Sequence, residues 1–330
     1  MVAEATRNAV LKAVELTGYR INLTASNLRR QRTGAIVVMV PNLGNPFFSS
    51  ILAGIESVMA PAGFGVLIVD TKQPHANRDQ VFAHVHRARA DGLIVLDGSL
   101  APELLEPASG DAARPPVVFA CEWFSNGQFP SVMIDNKHGA ALAVRHLHNL
   151  GHRRIGHISG PAGNVLTEAR LAGMKEALST LGLETRPEWF LDGDFSLQSG
   201  AAAAVHWQDL EERPTAMFCS SDQMACGFIS ELNHRGFSVP RDVSVVGFDD
   251  IDIAPRFIPA LTTIHQPRAR IGTMAAEMLV ERISHPAEAE AGGTVHIMPI
   301  ELIVRESTCP PSPAREEQRL PHHQTPKLTS

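Results

Sequence analysis

An alternation of short apolar segments with helical segments, which starts at Gly34, constrains the fold of this 330-residue chain more than any other feature. The apolar segments are 35–40, 65–69, 93–96, 116–120, 131–134, 154–158, 216–219 and 243–248. The helical segments between and after them are 46–61, 77–89, 138–150, 167–181, 198–206, 222–235 and 268–283. Continuous apolar strands indicate sheets covered on both faces, which are usually parallel. The strand–helix units are more numerous than one ordinary open sheet holds, so the sequence predicts an α/β fold with two doubly wound parallel-sheet subdomains.

The fold class predicts where a ligand would bind. Ligands of open parallel sheets lie beyond the carboxyl ends of the strands. The candidate loops are therefore 42–46, 121–126, 160–168, 220–223 and 249–256.

The first 33 residues differ in character from the rest of the chain. Residues 3–16 have the apolar periodicity of one amphipathic helix, and a second, conditional helix is predicted from Asn22 to Arg30. Residues 1–33 contain six basic and two acidic residues, whereas the remainder contains 23 basic and 33 acidic residues. A basic arm on an acidic body is typical of a local nucleic-acid contact, and a solvated helix with a linker is the alternative.

Composition excludes several classes of protein. With 44% hydrophobic and 19% charged residues, the chain has the composition of a soluble globular protein. No apolar run approaches the roughly 20 residues of a membrane span, and the N-terminus lacks the features of a signal peptide. The four cysteines show no CxxC or metal-ligand spacing. We expect a cytoplasmic protein with no membrane contact and a disordered tail over 310–330.

Motifs of enzymes and cofactor sites are missing from the sequence. It has no GxxxxGK[ST] phosphate loop and no GxGxxG after a strand, and Ser159 is one position late for a GxSxG elbow. Histidine pairs spaced by two residues point to different faces of a helix and suit a shared metal poorly. The pair Asp249-Asp250 follows a strand and could bind a metal or act as a base, or could cap a helix or accept hydroxyl groups. The sequence therefore predicts no enzyme, no metal and no cofactor.

Two kinds of side chain are candidates for ligand binding. Arg170 lies early in a predicted helix, after the strand 154–158, where its planar guanidinium could bind ligand oxygens. An ion pair with Glu168 at the surface is the alternative. Phe47 and Phe195 could form aromatic walls, although an aromatic residue after a strand is also typical of a core.

Several segments, taken in their order and spacing, resemble the LacI/GalR (lactose-repressor) family of bacterial transcription regulators. The resembling segments include GYRINLTASNLRRQRTGAI at 18–36, VPNLGNPFF at 40–48, DGLIVLDG at 91–98, HLHNLGHRRIGHISGP at 146–161, ARLAGMKEAL at 169–178, PTAMFCSSDQMACG at 214–227, VSVVGFDDIDIAP at 243–255 and PALTTIHQP at 259–267.

The resemblance implies a helix-turn-helix headpiece, a hinge helix and a core like that of periplasmic sugar-binding proteins of type I. The chain would then cross between the core subdomains near Asp135, Gln266 and His296. The implied divisions are 1–20 for a headpiece remnant, 21–33 for the hinge helix, 34–134 with 267–295 for the N-terminal subdomain, 135–266 with 296–309 for the C-terminal subdomain, and 310–330 for the tail.

The resemblance also assigns roles to individual residues. Arg170 matches the effector-binding arginine of the family, Asp249 the aspartate that accepts sugar hydroxyls, and Phe195 the aromatic that stacks on a ring. The other implied effector contacts are Phe47, Ser221, Gln266 and Cys121. At Cys121-Glu122 this chain departs from the aspartate that many relatives have after that strand.

For DNA, the resemblance implies contacts from the hinge helices of two subunits in the minor groove. The matching residues are Asn22, Ala25, Leu28 and Arg29, with Leu28 as the wedge between base pairs. The chain starts at a segment similar to the third headpiece helix, so we expect the polypeptide as written to bind operator DNA weakly or not at all. The resemblance implies a homodimeric, effector-responsive repressor. The alternative is a cytosolic sugar or solute sensor without DNA binding.

Overall fold

The computed structural model describes residues 3–17, 33–71, 90–100, 115–123, 129–285 and 293–312. The predicted helix 77–89, most of the hinge segment and most of the tail lie outside these residues. A helix of the N-terminal region, α1, spans Glu4–Thr17, close to the predicted 3–16.

Six strands form the first sheet, and every pair in it is parallel. Its strands are β1 Ala35–Val40, β2 Gly65–Asp70, β3 Gly92–Val95, β4 Val117–Ala120, β5 Ser131–Ile134 and β11 Val295–Met298, in the spatial order β11-β5-β4-β3-β1-β2. Two helices, α2 Phe47–Met59 and α7 Arg268–Ser284, pack together against it. We call this unit the first subdomain.

The second sheet also has six strands, which are β6 Ile155–Ile158, β7 Phe190–Leu191, β8 Ala216–Cys219, β9 Ser244–Asp249, β10 Thr262–His265 and β12 Glu301–Ile303. Their spatial order is β12-β10-β9-β8-β6-β7. Its helices are α3 Asn136–Asn149, α4 Val165–Thr180, α5 Leu197–Asp209 and α6 Asp222–His234. We call this unit the second subdomain. Only the edge strand β12 is antiparallel to its neighbour, so the prediction of two parallel-dominated sheets is confirmed.

The third crossing between the sheets lies close to His296. His296 pairs with Val132 inside the first sheet, so the chain enters the second sheet between Met298 and Glu301, a few residues after the position that the resemblance implies.

Helix ends and close contacts position the site. Asp135, Asn164, Ser196 and Ser221 each accept a backbone N–H at the start of a helix of the second subdomain. In the first subdomain, α2 and α7 pack so closely that a Cβ at Gly272 would lie 2.1 Å from the carbonyl oxygen of Ile51.

No helix within the described ranges is long and apolar enough to cross a membrane.

Candidate functional site

A cavity of about 210 Å³ lies between the two subdomains, among loops that follow the strands. Six of the seven effector residues proposed from the sequence line it: Phe47, Cys121, Arg170, Phe195, Ser221 and Asp249. Gln266 does not line the cavity, and its side chain lies behind Asp249. The structure thus brings residues from distant parts of the chain to one place, at the carboxyl ends of the strands, as expected for parallel sheets.

Arg170 is the buried cation of the cavity, with its side chain 3% exposed. Its Nε donates to Asn136 Oδ1 at 2.9 Å, and one terminal nitrogen donates to the carbonyl oxygen of Ser220. The guanidinium carbon lies 3.7 Å from the ring centre of Phe248, a cation–π geometry. Burial lowers the pKa of Arg170, and Asp249 is the first of the acids that oppose this effect. The alternative of a surface ion pair with Glu168 is therefore wrong.

Asp249 ends β9 and lies beside Arg170, with 3.8 Å between a guanidinium nitrogen and a carboxylate oxygen. Gln266 donates from Nε2 to Asp249 Oδ1 at 2.7 Å. Burial raises the pKa of Asp249 to about 6, although Arg170 and Arg268 act in the opposite direction. The carboxylate is thus a well-supported hydrogen-bond acceptor at the base of the cavity, suited to a ligand hydroxyl or amino group.

Two carboxylates stand on the first-subdomain side of the cavity, and their side chains were not proposed from the sequence. Asp97 follows β3 and accepts from the backbone N–H of Ser99 at 2.9 Å and from its hydroxyl at 2.6 Å. Glu122 follows β4 and accepts from the backbone N–H of Gly98 at 2.6 Å. Both residues are at most 5% exposed.

Two side chains join the subdomains. Asn164, which caps α4, donates from Nδ2 to Glu122 Oε1 at 2.9 Å. Arg268, at the start of α7, donates to Asp252 Oδ1 at 2.8 Å and to the carbonyl oxygen of Asp250 at 3.0 Å. The two subdomains are therefore in direct contact both at the cavity, through Asn164, and outside its lining, through Arg268.

Backbone strain is concentrated at this site. Among the described residues, four residues other than glycine have positive φ: Cys121 at 70°, Phe195 at 66°, Asp249 at 122° and Asp250 at 53°. The first three line the cavity. Such conformations cost of order 1–3 kcal/mol each and persist where surrounding structure enforces them, which is common at functional sites.

The remaining titratable groups are structural. Burial raises the pKa of the Cys121 thiol, so this cysteine is a neutral wall residue rather than a nucleophile. His152 contacts Thr215 Oγ1 and Ser244 Oγ through its two ring nitrogens. Asp250, the partner of Asp249 in the predicted pair, accepts from Arg305 at 2.7 Å and contacts His265. Within the described part of the chain, no group of three potential ligands could hold a metal.

Some cavity residues carried a signal in the sequence and others did not. Asp97, Glu122 and Asn164 lie at or beside the strand ends where a ligand was expected, so a wider search of those loops finds them. Asn136 and Phe248, which hold Arg170 from outside the lining, carry no such signal, because a helix start and a strand interior have many other uses. The proposed DNA contacts Asn22, Ala25, Leu28 and Arg29 lie outside the described residues.

Comparisons with known proteins support the resemblance stated above. A periplasmic binding protein-like domain family matches residues 144–308. The repressor CytR of Escherichia coli (strain K12), an HTH-type transcriptional repressor, is 37% identical over 93% of this chain and 89% of its own length. A ribose-bound LacI-family regulator of Enterococcus faecium has a TM-score of 0.75 and 28% identity, covering 84% of this chain and all of that one.

The lac repressor dimer, solved with operator and the anti-inducer ONPF, has a TM-score of 0.75 at 28% identity. The match covers 88% of this chain and 99% of that one. These similarities confirm the predicted family, and they place the chain among transcriptional regulators rather than enzymes. The chain belongs to the LacI family of transcriptional regulators.

Proposed function

We propose that this protein is a transcriptional repressor whose core binds a small, sugar-like effector in the cavity between the subdomains. The observation that carries the proposal is the pair Arg170 and Asp249, held together in a cavity that the rings of Phe47, Phe48 and Phe195 also line. Adjacent donor and acceptor groups suit vicinal hydroxyls, and apolar ring faces suit the carbon skeleton between them.

The size of the cavity supports a small ligand. Drug-sized ligands occupy sites of roughly 300–1,000 Å³, whereas this cavity measures about 210 Å³. Ligand-bound relatives point the same way, since the Enterococcus faecium regulator was solved with ribose. A molecule of about monosaccharide size is therefore the proposed effector.

Control of DNA binding follows from the position of the cavity. A ligand that contacts Phe47 and Cys121 on one side and Arg170 and Asp249 on the other binds one arrangement of the subdomains better than another. This preference changes the equilibrium between arrangements, and hence the spacing of the paired segments that precede β1 in a dimer. We propose that Asn22, Ala25, Leu28 and Arg29 contact operator DNA from those segments, in a cytoplasmic homodimer.

Thermal unfolding with candidate ligands tests the effector site. A ligand at about 100 times its dissociation constant stabilises the folded state by about 3 kcal/mol. A panel of pentoses, hexoses, polyols and nucleosides should contain compounds that stabilise the wild type but not Asp249→Asn. Asp209→Asn, which removes an exposed carboxylate at the end of α5, is the matched control and should behave like wild type. Equal stabilisation of wild type and Asp249→Asn by every active ligand would contradict the assignment.

Selection from a random duplex DNA library tests the regulatory role. Because this chain is expected to bind DNA weakly, the selection is run at low salt, where a homodimer predicts enrichment of a near-palindromic sequence and binding that changes when the stabilising ligand is added. A ligand that binds tightly yet leaves DNA binding unchanged would separate the sensor from regulation and contradict the proposal.

A further inference from the structure

The charges around the cavity are strongly unequal. Four carboxylates line it, from Asp97, Glu122, Asp194 and Asp249, and among the described residues the only lysine or arginine in the lining is Arg170. The described lining therefore carries three more negative than positive formal charges. A ligand that enters this space must be compatible with an excess of acceptors and of negative charge.

The single guanidinium is partly engaged within its own subdomain. Two of its five N–H donors bond to Asn136 and to the carbonyl oxygen of Ser220, its face lies on Phe248, and it neighbours Asp249. The remaining donors can serve a ligand oxygen. The single positive charge is nevertheless outnumbered by the four carboxylates of the lining, so an anionic group beside Arg170 would still meet net negative surroundings.

Glu122 and Asp97 are neighbours on the opposite wall. The carboxylate of Glu122 accepts the N–H of Gly98, the residue that follows Asp97. A hydroxyl or amino group of a ligand can donate to such carboxylates, whereas a phosphate at neutral pH offers mainly acceptor oxygens and a charge of about −1.5 to −2. At an effective dielectric constant of about 20, one carboxylate about 6 Å from a unit negative charge weakens binding roughly 100-fold.

We propose that the cavity selects a ligand without negative charge, an uncharged polyhydroxylated or amine-bearing molecule, and that Glu122 and Asp97 exclude its phosphorylated form. This inference rests on the proposed function of the cavity as the effector site. It makes Glu122 a determinant of ligand specificity.

Paired probes test the inference directly. Calorimetric titrations use ribose and ribose 5-phosphate, glucosamine and glucosamine 6-phosphate, and uridine and uridine 5′-monophosphate. The wild type should bind the unphosphorylated member of at least one pair, and the phosphorylated member at least about 100-fold more weakly.

Glu122→Gln removes the charge at nearly constant size and leaves an amide oxygen for the N–H of Gly98. In this variant the ratio of the affinity for the unphosphorylated probe to that for its phosphorylated form should fall by at least about tenfold. Glu168→Gln is the control, because Glu168 is an exposed carboxylate in the first turn of α4 that does not line the cavity. Glu168→Gln changes the net charge of the protein by the same amount as Glu122→Gln and should leave the affinity ratio within each pair unchanged.

Three results are distinguishable. The inference is supported if the wild type prefers the unphosphorylated member of a pair and this preference becomes smaller in Glu122→Gln but not in Glu168→Gln. Wild-type binding of a phosphorylated probe as tight as that of its parent overturns the inference and leaves the proposed effector site standing. Absence of binding by every probe, to wild type and to Glu122→Gln alike, overturns the proposed sugar-like effector and the inference with it.

Discussion

The two walls of the cavity are built in different ways. On the second-subdomain side, Arg170, Asn136, Asp249 and Gln266 hold one another through buried side-chain contacts between separate elements. On the first-subdomain side, Asp97 and Glu122 accept from neutral donors, which include the hydroxyl of Thr71, the backbone and hydroxyl of Ser99 and the backbone N–H of Gly98. One wall thus pairs a buried cation with a carboxylate, whereas the other holds two carboxylates through neutral donors.

This difference suggests a division of labour. A network of buried, mutually satisfied polar groups is rigid, because each group would lose its partners if it moved. The wall around Arg170 therefore provides a fixed base against which a ligand is oriented. The wall with Asp97 and Glu122 carries excess negative charge, so selectivity between charged and uncharged ligands is expected to reside there.

Removal of Arg170 should have the largest effect. Arg170→Ala leaves Asn136, the carbonyl oxygen of Ser220 and the carboxylate of Asp249 buried without their charged donor. The expected loss in the free energy of unfolding is about 3–5 kcal/mol, measured by urea denaturation.

The comparison of walls supplies the controls for that measurement. Cys121→Ser alters a buried thiol of the first-subdomain wall and should cost about 1 kcal/mol, near the average for point mutations. Arg145→Ala removes an exposed arginine of α3 and should be nearly neutral. A loss below about 1 kcal/mol for Arg170→Ala would show that the second wall is no more rigid than the first.

His157 lies behind the fixed wall and should make it sensitive to acid. Its ring nitrogens contact the carbonyl oxygen of Phe218 at 2.9 Å and Ser220 Oγ at 3.2 Å, and burial lowers the pKa of His157 from 6.5 to about 4. Below pH 6.5 the His157 ring therefore binds a proton in the unfolded state but not in the folded state. Stability falls by about 3–4 kcal/mol between pH 6.5 and 4 from this residue alone.

His157→Gln provides the measurement for this effect. Its unfolding free energy, followed by urea denaturation at several pH values, should decline less steeply below pH 6.5 than that of the wild type. Part of the decline should remain, because burial also lowers the pKa of His146 and His152. Identical pH slopes for the variant and the wild type would contradict the assignment.

Asp249 should show the opposite dependence on pH. Its pKa is raised from 3.8 to about 6 by burial, so the folded state holds a proton that the unfolded state has released. The resulting stabilisation is complete below pH 3.8 and is lost as pH rises through about 6, a change of about 3 kcal/mol. The stability of wild type relative to Asp249→Asn should decrease by this amount between pH 4 and 7. A difference that stays constant with pH would refute the raised pKa.

The sequence predicted most of the fold because most strands are continuous apolar segments with buried faces. The strand Thr262–His265 escaped that pattern, since its two threonines are buried through specific partners. Thr263 donates its hydroxyl to Asp222, and the N–H of Thr262 donates to Ser307, 45 residues away. Hydrophobic periodicity reports burial of apolar groups and is silent about polar groups satisfied by distant partners.

The same limit applies to the cavity. The positions of Arg170 and Asp249, at a helix start and a strand end, made them candidates from the sequence. The bond between Arg170 and Asn136 joins residues 34 positions apart, and no local pattern encodes it. Glu122 was noticed only as a departure beside Cys121, because its contact with Asn164 depends on how two subdomains meet.

Asn164, the residue that touches both walls, should give the smallest and most specific effect. Its Oδ1 caps α4 by accepting from the N–H groups of Leu166 and Thr167, and its Nδ2 donates to Glu122 across the cavity. Asn164→Ala removes both functions and should cost about 1 kcal/mol in the free energy of unfolding.

Asn164→Asp separates the two functions. Aspartate caps a helix about as well as asparagine, so the cap is preserved, but a second carboxylate now faces Glu122. Because the cap is kept, the loss in the free energy of unfolding should be smaller in Asn164→Asp than in Asn164→Ala. Repulsion between the two carboxylates across the cavity favours a wider separation of the subdomains. Small-angle X-ray scattering of the ligand-free proteins should show a larger radius of gyration for Asn164→Asp than for wild type. Unchanged scattering would mean that the contact with Glu122 does not hold the walls together, in contrast to the contacts of Arg268 with Asp250 and Asp252.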